Sequence, residues 1–160
     1  RARAAHRLHG LLRDFSSLGL TLSFTSGPCH PLVTLLPQQW IEMVFREYWM
    51  IRIARFDRAI ADRGYAPSVR AAVEIGVSDA IIPENAGCWR LEVSDGRGAV
   101  TRSAGAATFR CDVRPWAAIY TGFLSPRQAI LLGLAEGSDE AAAALGGVFA
   151  GTAPWMVDHF

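Results

Sequence analysis

Three stretches of strict alternation constrain this chain more than any other feature. Val69, Ala71, Val73 and Ile75 alternate with Arg70, Ala72 and Glu74. Trp89, Leu91 and Val93 alternate with Arg90, Glu92 and Ser94, and Phe109, Cys111 and Val113 with Thr108, Arg110 and Asp112. A period of two puts every second side chain on one sheet face, so each stretch reads as a strand with one buried and one wet face, the habit of antiparallel sheets. Asp95-Gly96 and Gly98 fall between strand candidates and predict a hairpin there.

Helices surround these strands. Residues 4–15 place Leu8, Leu11, Leu12 and Phe15 at helical spacing, and Phe56, Ala59, Ile60 and Arg63 repeat the pattern. Gly64 is placed to end that second helix in a left-handed conformation. Residues 114–121 form a short helical candidate with a proline near its start. Ser125-Pro126-Arg127-Gln128 carries a Ser cap, a Pro at the first helical position and a Gln three residues after the cap. Ser138-Asp139-Glu140 opens a further helix, with acidic groups at the positive end of its dipole, running to about Phe149. Upstream, Leu20 to Phe24 alternates as a short strand stopped by Gly27-Pro28, residues 28–37 read as a surface loop, and Trp49, Ile51 and Ile53 alternate as a strand. The expected fold is α+β, a small antiparallel sheet with flanking helices.

Composition bounds the function. The 160 residues are 51% hydrophobic, 10% aromatic and 19% charged, which suits an ordinary core and excludes a disordered chain. Sixteen basic residues, all of them Arg, face fifteen acidic ones, so net charge gives no pull toward nucleic acid or an anionic membrane. A codon bias toward Arg and Ala accounts for the missing Lys more simply than any role does. Cys29, Cys88 and Cys111 are odd in number and widely spaced, which argues against a disulfide framework or a zinc site and fits a reducing cytoplasm. No apolar run approaches the roughly 20 residues needed to span a bilayer. The sequence opens on Arg1 rather than Met, and a missing upstream portion is one expectation for it.

Several motifs fail on context. Arg102-Ser103-Ala104-Gly105-Ala106-Ala107 matches the R-x-x-G-x-A pattern that holds a pyrophosphate, but such a loop needs a helix N-terminus after it, and here a strand follows. His6 and His9 share one helical face without a third ligand, so they read as a helix surface and not a metal site. His30 stands beside Cys29, too close in sequence for a thiolate–imidazole pair. There is no G-x-S-x-G elbow and no P-loop.

The closing segment, Ala153 to Phe160, is the stretch with chemical promise. Trp155 and Phe160 flank Asp158 and His159. Chain ends usually fray, yet burying a large apolar side chain contributes about 1.5–3 kcal/mol, so two such rings can order this tail. The Phe160 α-carboxylate, with an ordinary pKa of about 3.5 that rises on desolvation, can then accept a proton as a general base. The plainer alternative is a tail packed for stability. The five Trp side chains likewise suit a core or an apolar tunnel for a lipid.

Taken together, Trp49-Met50-Ile51-Arg52-Ile53, the short helix to Arg63-Gly64-Tyr65, Asn85-Ala86-Gly87-Cys88-Trp89-Arg90-Leu91-Glu92, Asp112-Val113 through Trp116, Tyr120-Thr121-Gly122 and Ala153-Pro154-Trp155 through Phe160 resemble the enhanced-intracellular-survival type of GNAT acetyltransferase. The resemblance implies that residues 1–46 end a GNAT-like α/β lobe and that residues 47–160 form a sterol-carrier-like C-terminal domain. It implies an acetyl-CoA-dependent N-acetyltransferase acting on primary amines of aminoglycoside or polyamine type, with the Phe160 carboxylate as general base and Asp158 attracting the cationic amine. Acetyl-CoA would bind an upstream lobe absent from this chain, these residues would hold no cofactor or metal, and the fragment alone would be inactive. The full-length enzyme would be a cytoplasmic homo-oligomer with no nucleic-acid or membrane partner. The alternative is a stand-alone sterol-carrier-like module that binds a lipid or other apolar ligand.

Overall fold

A computed structural model describes residues 2–19, 21–28, 30–31, 33, 41–45 and 50–156. The chain divides into two compact units, one of Arg1–Trp49 with Trp155–Phe160 and one of Met50–Pro154. In the first unit, α1 (Ala2–Asp14) realises the expected helix, with Leu8 and Leu11 exposed along it. Residues 21–24 form no strand, and Leu22 and Phe24 are exposed. Alternation makes a strand only where a partner supplies ladder hydrogen bonds, and among the described residues these four have none.

The second unit begins with an extended segment in place of the strand expected at Trp49–Ile53; Trp49 itself lies outside the described residues. Then come α2 (Phe56–Asp62), β1 (Ala71–Ser78), a 3-10 turn (Pro83–Asn85), β2 (Gly87–Ser94), β3 (Arg97–Arg102), β4 (Phe109–Asp112), α3 (Val113–Thr121), α4 (Pro126–Leu131), β5 (Ala135–Gly137) and α5 (Asp139–Val148). The α+β class is as the sequence indicates. The sheet order is β3-β2-β1-β4-β5, and every pairing is antiparallel except β1 with β4, which run parallel. The sheet is therefore mixed and not purely antiparallel. A parallel neighbour requires a long crossover, and here the β2–β3 hairpin lies within it.

Hairpin chemistry is as expected. Asp95 (φ 51°) and Gly96 (φ 78°) both take positive φ, the backbone of a two-residue turn whose twist matches the flanking strands. Helix starts also follow the sequence. Ser125 and Gln128 close a reciprocal capping box on α4, and the Ser138 hydroxyl accepts the Ala141 N–H at 3.1 Å on α5. The end of α2 differs: Arg63 leaves the helix in an extended conformation (φ −75°, ψ 138°), and Gly64 is not left-handed.

One sheet face is apolar and covered by helices. Val73, Ile75, Val77, Trp89, Leu91, Val93, Phe109 and Cys111 are buried there with Phe56, Ile60, Trp116, Ile119 and Leu145. Trp116 sits among aromatic rings, with centroids 5.5 Å from Phe56, 6.0 Å from Phe109 and 5.5 Å from Phe149. The other face carries charge. Arg90 pairs with Glu74 at 3.2 Å and Glu92 at 2.8 Å, while Glu74 Oε2 meets no hydrogen-bond partner among the described residues.

Candidate functional site

The described residues of the C-terminal segment fall in the second unit up to Pro154 and in the first from Trp155. In the second, α5 ends at Phe149, a buried C-cap whose ring reaches Trp116, Tyr120 and Tyr65. The chain leaving it runs along Gly122. That glycine ends α3 in the left-handed region (φ 80°), and a Cβ there would lie 3.2 Å from the Phe149 carbonyl oxygen and 4.0 Å from that of Thr152. Only glycine meets both the positive φ and the close backbone.

In the first unit the indole of Trp155 lies on Gly27, where an added Cβ would come within 2.7 Å of Cδ1 and 2.8 Å of Nε1. Gly27, read from sequence as a strand stop, also gives this ring room, but Trp155 stays half-exposed at 51%, where the sequence predicts burial. The two residues singled out for chemistry, Phe160 and Asp158, lie outside the described residues.

Asn85 organises the entry to the second unit. Its Oδ1 accepts the first helical N–H of α2, from Phe56, at 2.9 Å. Its Nδ2 donates to the Ile53 carbonyl at 3.1 Å and to Asp79 at 3.0 Å, while its own carbonyl accepts Trp89 Nε1 at 2.9 Å. Asp79, also buried, takes Arg52 Nη2 at 2.6 Å and the N–H groups of Ile81 and Ile82, each at 3.0 Å. Burial alone would raise this carboxyl; the hydrogen bonds from Asn85, Ile82, Ile81 and Arg52 outweigh it and hold Asp79 well below the usual carboxylate range.

A pH dependence follows. A carboxyl held low in the folded state adds stability that is fully present above its ordinary value of about 3.9 and is lost as pH falls toward the folded value. Thermal melts of Asp79→Asn are expected to fall below those of the wild type at neutral pH, with the gap closing below about pH 4. A gap that stays constant across that range would contradict this role.

The remaining sequence candidates are structural. Arg102, the head of the R-x-x-G-x-A match, stacks its guanidinium 3.9 Å from the Trp89 ring and donates to the carbonyls of Glu84 and Ala86. β4 follows the loop, so no helix N-terminus faces it and the residues present do not fit a pyrophosphate cradle. His6 is exposed, His30 lies 5.3 Å from the Phe24 ring, and Cys29 is outside the described residues. Among the described residues no group of three His, Cys, Asp or Glu is placed to hold a metal ion. Burial, with the nearby Asp112 charge, pushes the Cys111 thiol up to about 12, so it is not a nucleophile. Cys88 donates to the Gly105 carbonyl at 3.1 Å.

An open groove of about 430 Å³ crosses the polar ends of the strands, lined by Gly76, Cys88, Arg110, Asp112 and Glu136 among others. Charges of both signs line it, unlike an apolar tunnel. No helix among the described residues is long and apolar enough to cross a membrane.

A five-stranded mixed sheet with helices on its apolar face defines an α+β domain. The sterol carrier protein domain matches residues 56–157, well over half of the chain, and the chain belongs to that family. It is similar to the crystal structure of a GCN5-related N-acetyltransferase from Anabaena variabilis ATCC 29413, with 32% identity and a TM-score of 0.79 over 84% of this chain and 34% of that one. A GCN5-related N-acetyltransferase from Kribbella flavida is 34% identical, with a TM-score of 0.61 over 65% of this chain and 27% of that one. Eis1 from Mycobacterium abscessus is 29% identical, with a TM-score of 0.55 over 65% of this chain and 26% of that one. The chain thus spans about a third or less of the structures it matches. No curated protein matches the sequence.

Proposed function

We propose that these residues are the C-terminal part of an acetyl-CoA-dependent N-acetyltransferase of the enhanced-intracellular-survival type, acting on primary amines of aminoglycoside or polyamine kind. One observation carries the reading: 32% identity over 84% of the chain to about a third of a GCN5-related N-acetyltransferase. Residues 1–46 then close a GNAT-like lobe, residues 47–160 form the carrier-like domain, and acetyl-CoA is held by a lobe further upstream. The assembly is a cytoplasmic homo-oligomer without nucleic-acid or membrane partners.

In this reading the chain's own contribution is its tail. The Phe160 carboxylate, desolvated in the cleft of the acetyltransferase lobe, takes the proton from the substrate amine, and Asp158 draws that amine in as a cation. Support comes from the seating of Trp155 on Gly27, five residues before the terminus.

Steady-state acetylation of an aminoglycoside and of a polyamine by the intact protein tests it. Removing Phe160 is expected to lower kcat by about 10²–10⁴, the usual share of a general base. Unchanged acetylation would defeat the base role.

The family match favours a second reading, a stand-alone carrier of lipid or another apolar ligand. The packing weighs against it, because Trp116, Phe56 and Phe109 fill the space between sheet and helices.

A further inference from the structure

We propose that Arg63 is a positioning residue for the C-terminal arm, fixing the direction in which the chain leaves the carrier-like domain. The inference rests on the catalytic reading of Phe160 above and extends it to a residue about a hundred positions upstream.

Arg63 is half-buried just after α2, and its guanidinium is gathered by three rings. Its Cζ lies 5.1 Å from the Tyr120 centroid, 5.2 Å from that of Phe149 and 5.9 Å from that of Tyr65, all within cation–π range. Nη1 donates to the Tyr120 carbonyl, in the last turn of α3. Among the described residues its Nε–H meets no acceptor. The ring faces and one carbonyl therefore define its position, and a flat cation suits that setting where an ammonium does not. Tyr65 and Tyr120 are themselves pinned to α2: their hydroxyls donate to the carbonyls of Ile60 at 2.9 Å and Ala59 at 3.1 Å.

These contacts join the C-terminal ends of three helices, α2, α3 and α5, at one point. That point is where the arm begins. Phe149, one wall of the cage, is the C-cap of α5, and the carbonyl oxygens of Phe149 and Thr152 lie against Gly122, two residues beyond Tyr120. The core is already closed by Trp116 and its neighbours, so a charged side chain among these rings adds little that another apolar residue would not. What it adds is orientation. The guanidinium ties the Phe149 ring to the α3 carbonyl end, and so sets the first bond vectors of the arm that ends in the proposed base.

The test uses the intact protein, with Arg63→Ala, removal of Phe160, and the two combined. Arg63→Ala is expected to lower kcat by about 10–100-fold, because a misplacement near 1 Å can cost about 100-fold, while KM for acetyl-CoA stays within about twofold. The combined variant is expected to be no slower than removal of Phe160 alone, since both act through one carboxylate. Amide hydrogen exchange is expected to quicken over residues 150–156 and to remain slow in β1, β2 and β4.

Unchanged kcat in Arg63→Ala, losses that multiply in the combined variant, or exchange that quickens everywhere alike would each overturn the inference. Where removal of Phe160 costs nothing, the base role fails, and the exchange pattern still decides whether Arg63 fixes the arm. Phe149→Leu keeps the burial but removes a ring face, and is expected to give the same pattern where Arg63→Ala proves too unstable to purify.

Discussion

Replacing Asn85 with leucine is expected to destabilise the second unit by about 3–5 kcal/mol, since each buried polar group left unpaired costs about 1–3 kcal/mol. The side chain is 2% exposed, and its loss strands three partners at once: the Phe56 N–H, the Ile53 carbonyl and one oxygen of Asp79. Urea unfolding followed by circular dichroism reads the effect as a lower midpoint at an unchanged slope. Asn85→Asp separates polarity from geometry. It keeps the α2 cap but sets a second carboxylate against Asp79, so it is expected to recover stability as pH falls and one of the pair is protonated. A loss below about 1 kcal/mol for the leucine variant would mean that the Asn85 hydrogen bonds are worth no more than ordinary surface ones.

Trp116→Ala is expected to cost about 3–5 kcal/mol, the range for deleting a buried aromatic ring. Its indole is wholly buried among Phe56, Phe109 and Phe149. The vacated space is apolar, and such cavities stay dry and accept small apolar guests. Benzene is therefore expected to raise the melting temperature of Trp116→Ala and leave that of the wild type unchanged. Wild-type stabilisation of equal size would show that the packed interior already opens to an apolar ligand, and would move the balance toward the carrier reading. Trp116 Nε1 has no hydrogen-bond partner among the described residues, so Trp116→Phe is expected to be much milder: it loses volume but also a stranded donor.

What could be read from sequence was the part set by local chemistry. β1, β2 and β4 showed because one face of each is buried and the other wet. The Asp95-Gly96 turn, the Ser125 capping box and the Ser138 cap showed because each depends on residues within four positions. β3 and β5 escaped: β3 carries Gly98, Ala99 and Thr101 with no buried member, and β5 has only three residues. The parallel pairing of β1 and β4 escaped because partner choice within a sheet is a long-range matter, invisible to periodicity. The same holds at the site. Nothing local ties Arg63 to Phe149 or Gly27 to Trp155, since these pairs meet only in the fold. The Asn85-x-Gly87-x-Trp89 element is visible as a motif, but its physical content, a helix cap, an ion-pair support and an indole acceptor in one residue, arises from partners up to 32 residues away in sequence.

The position of β1 has a consequence for how this chain is made. β2 pairs with it through a short connection and β3 then folds back by a two-residue turn, so a three-stranded meander can form early. The other edge of β1 waits for β4, and Ser78 and Asp112 are 34 residues apart. At a synthesis rate of about 5–20 residues per second, that edge stands open for roughly 2–7 seconds. During that interval Ile75 and Val77 sit on a strand with unpaired amides, the form most prone to pair with another nascent copy. Slowing synthesis between Ser94 and Phe109 is therefore expected to lower the yield of folded protein.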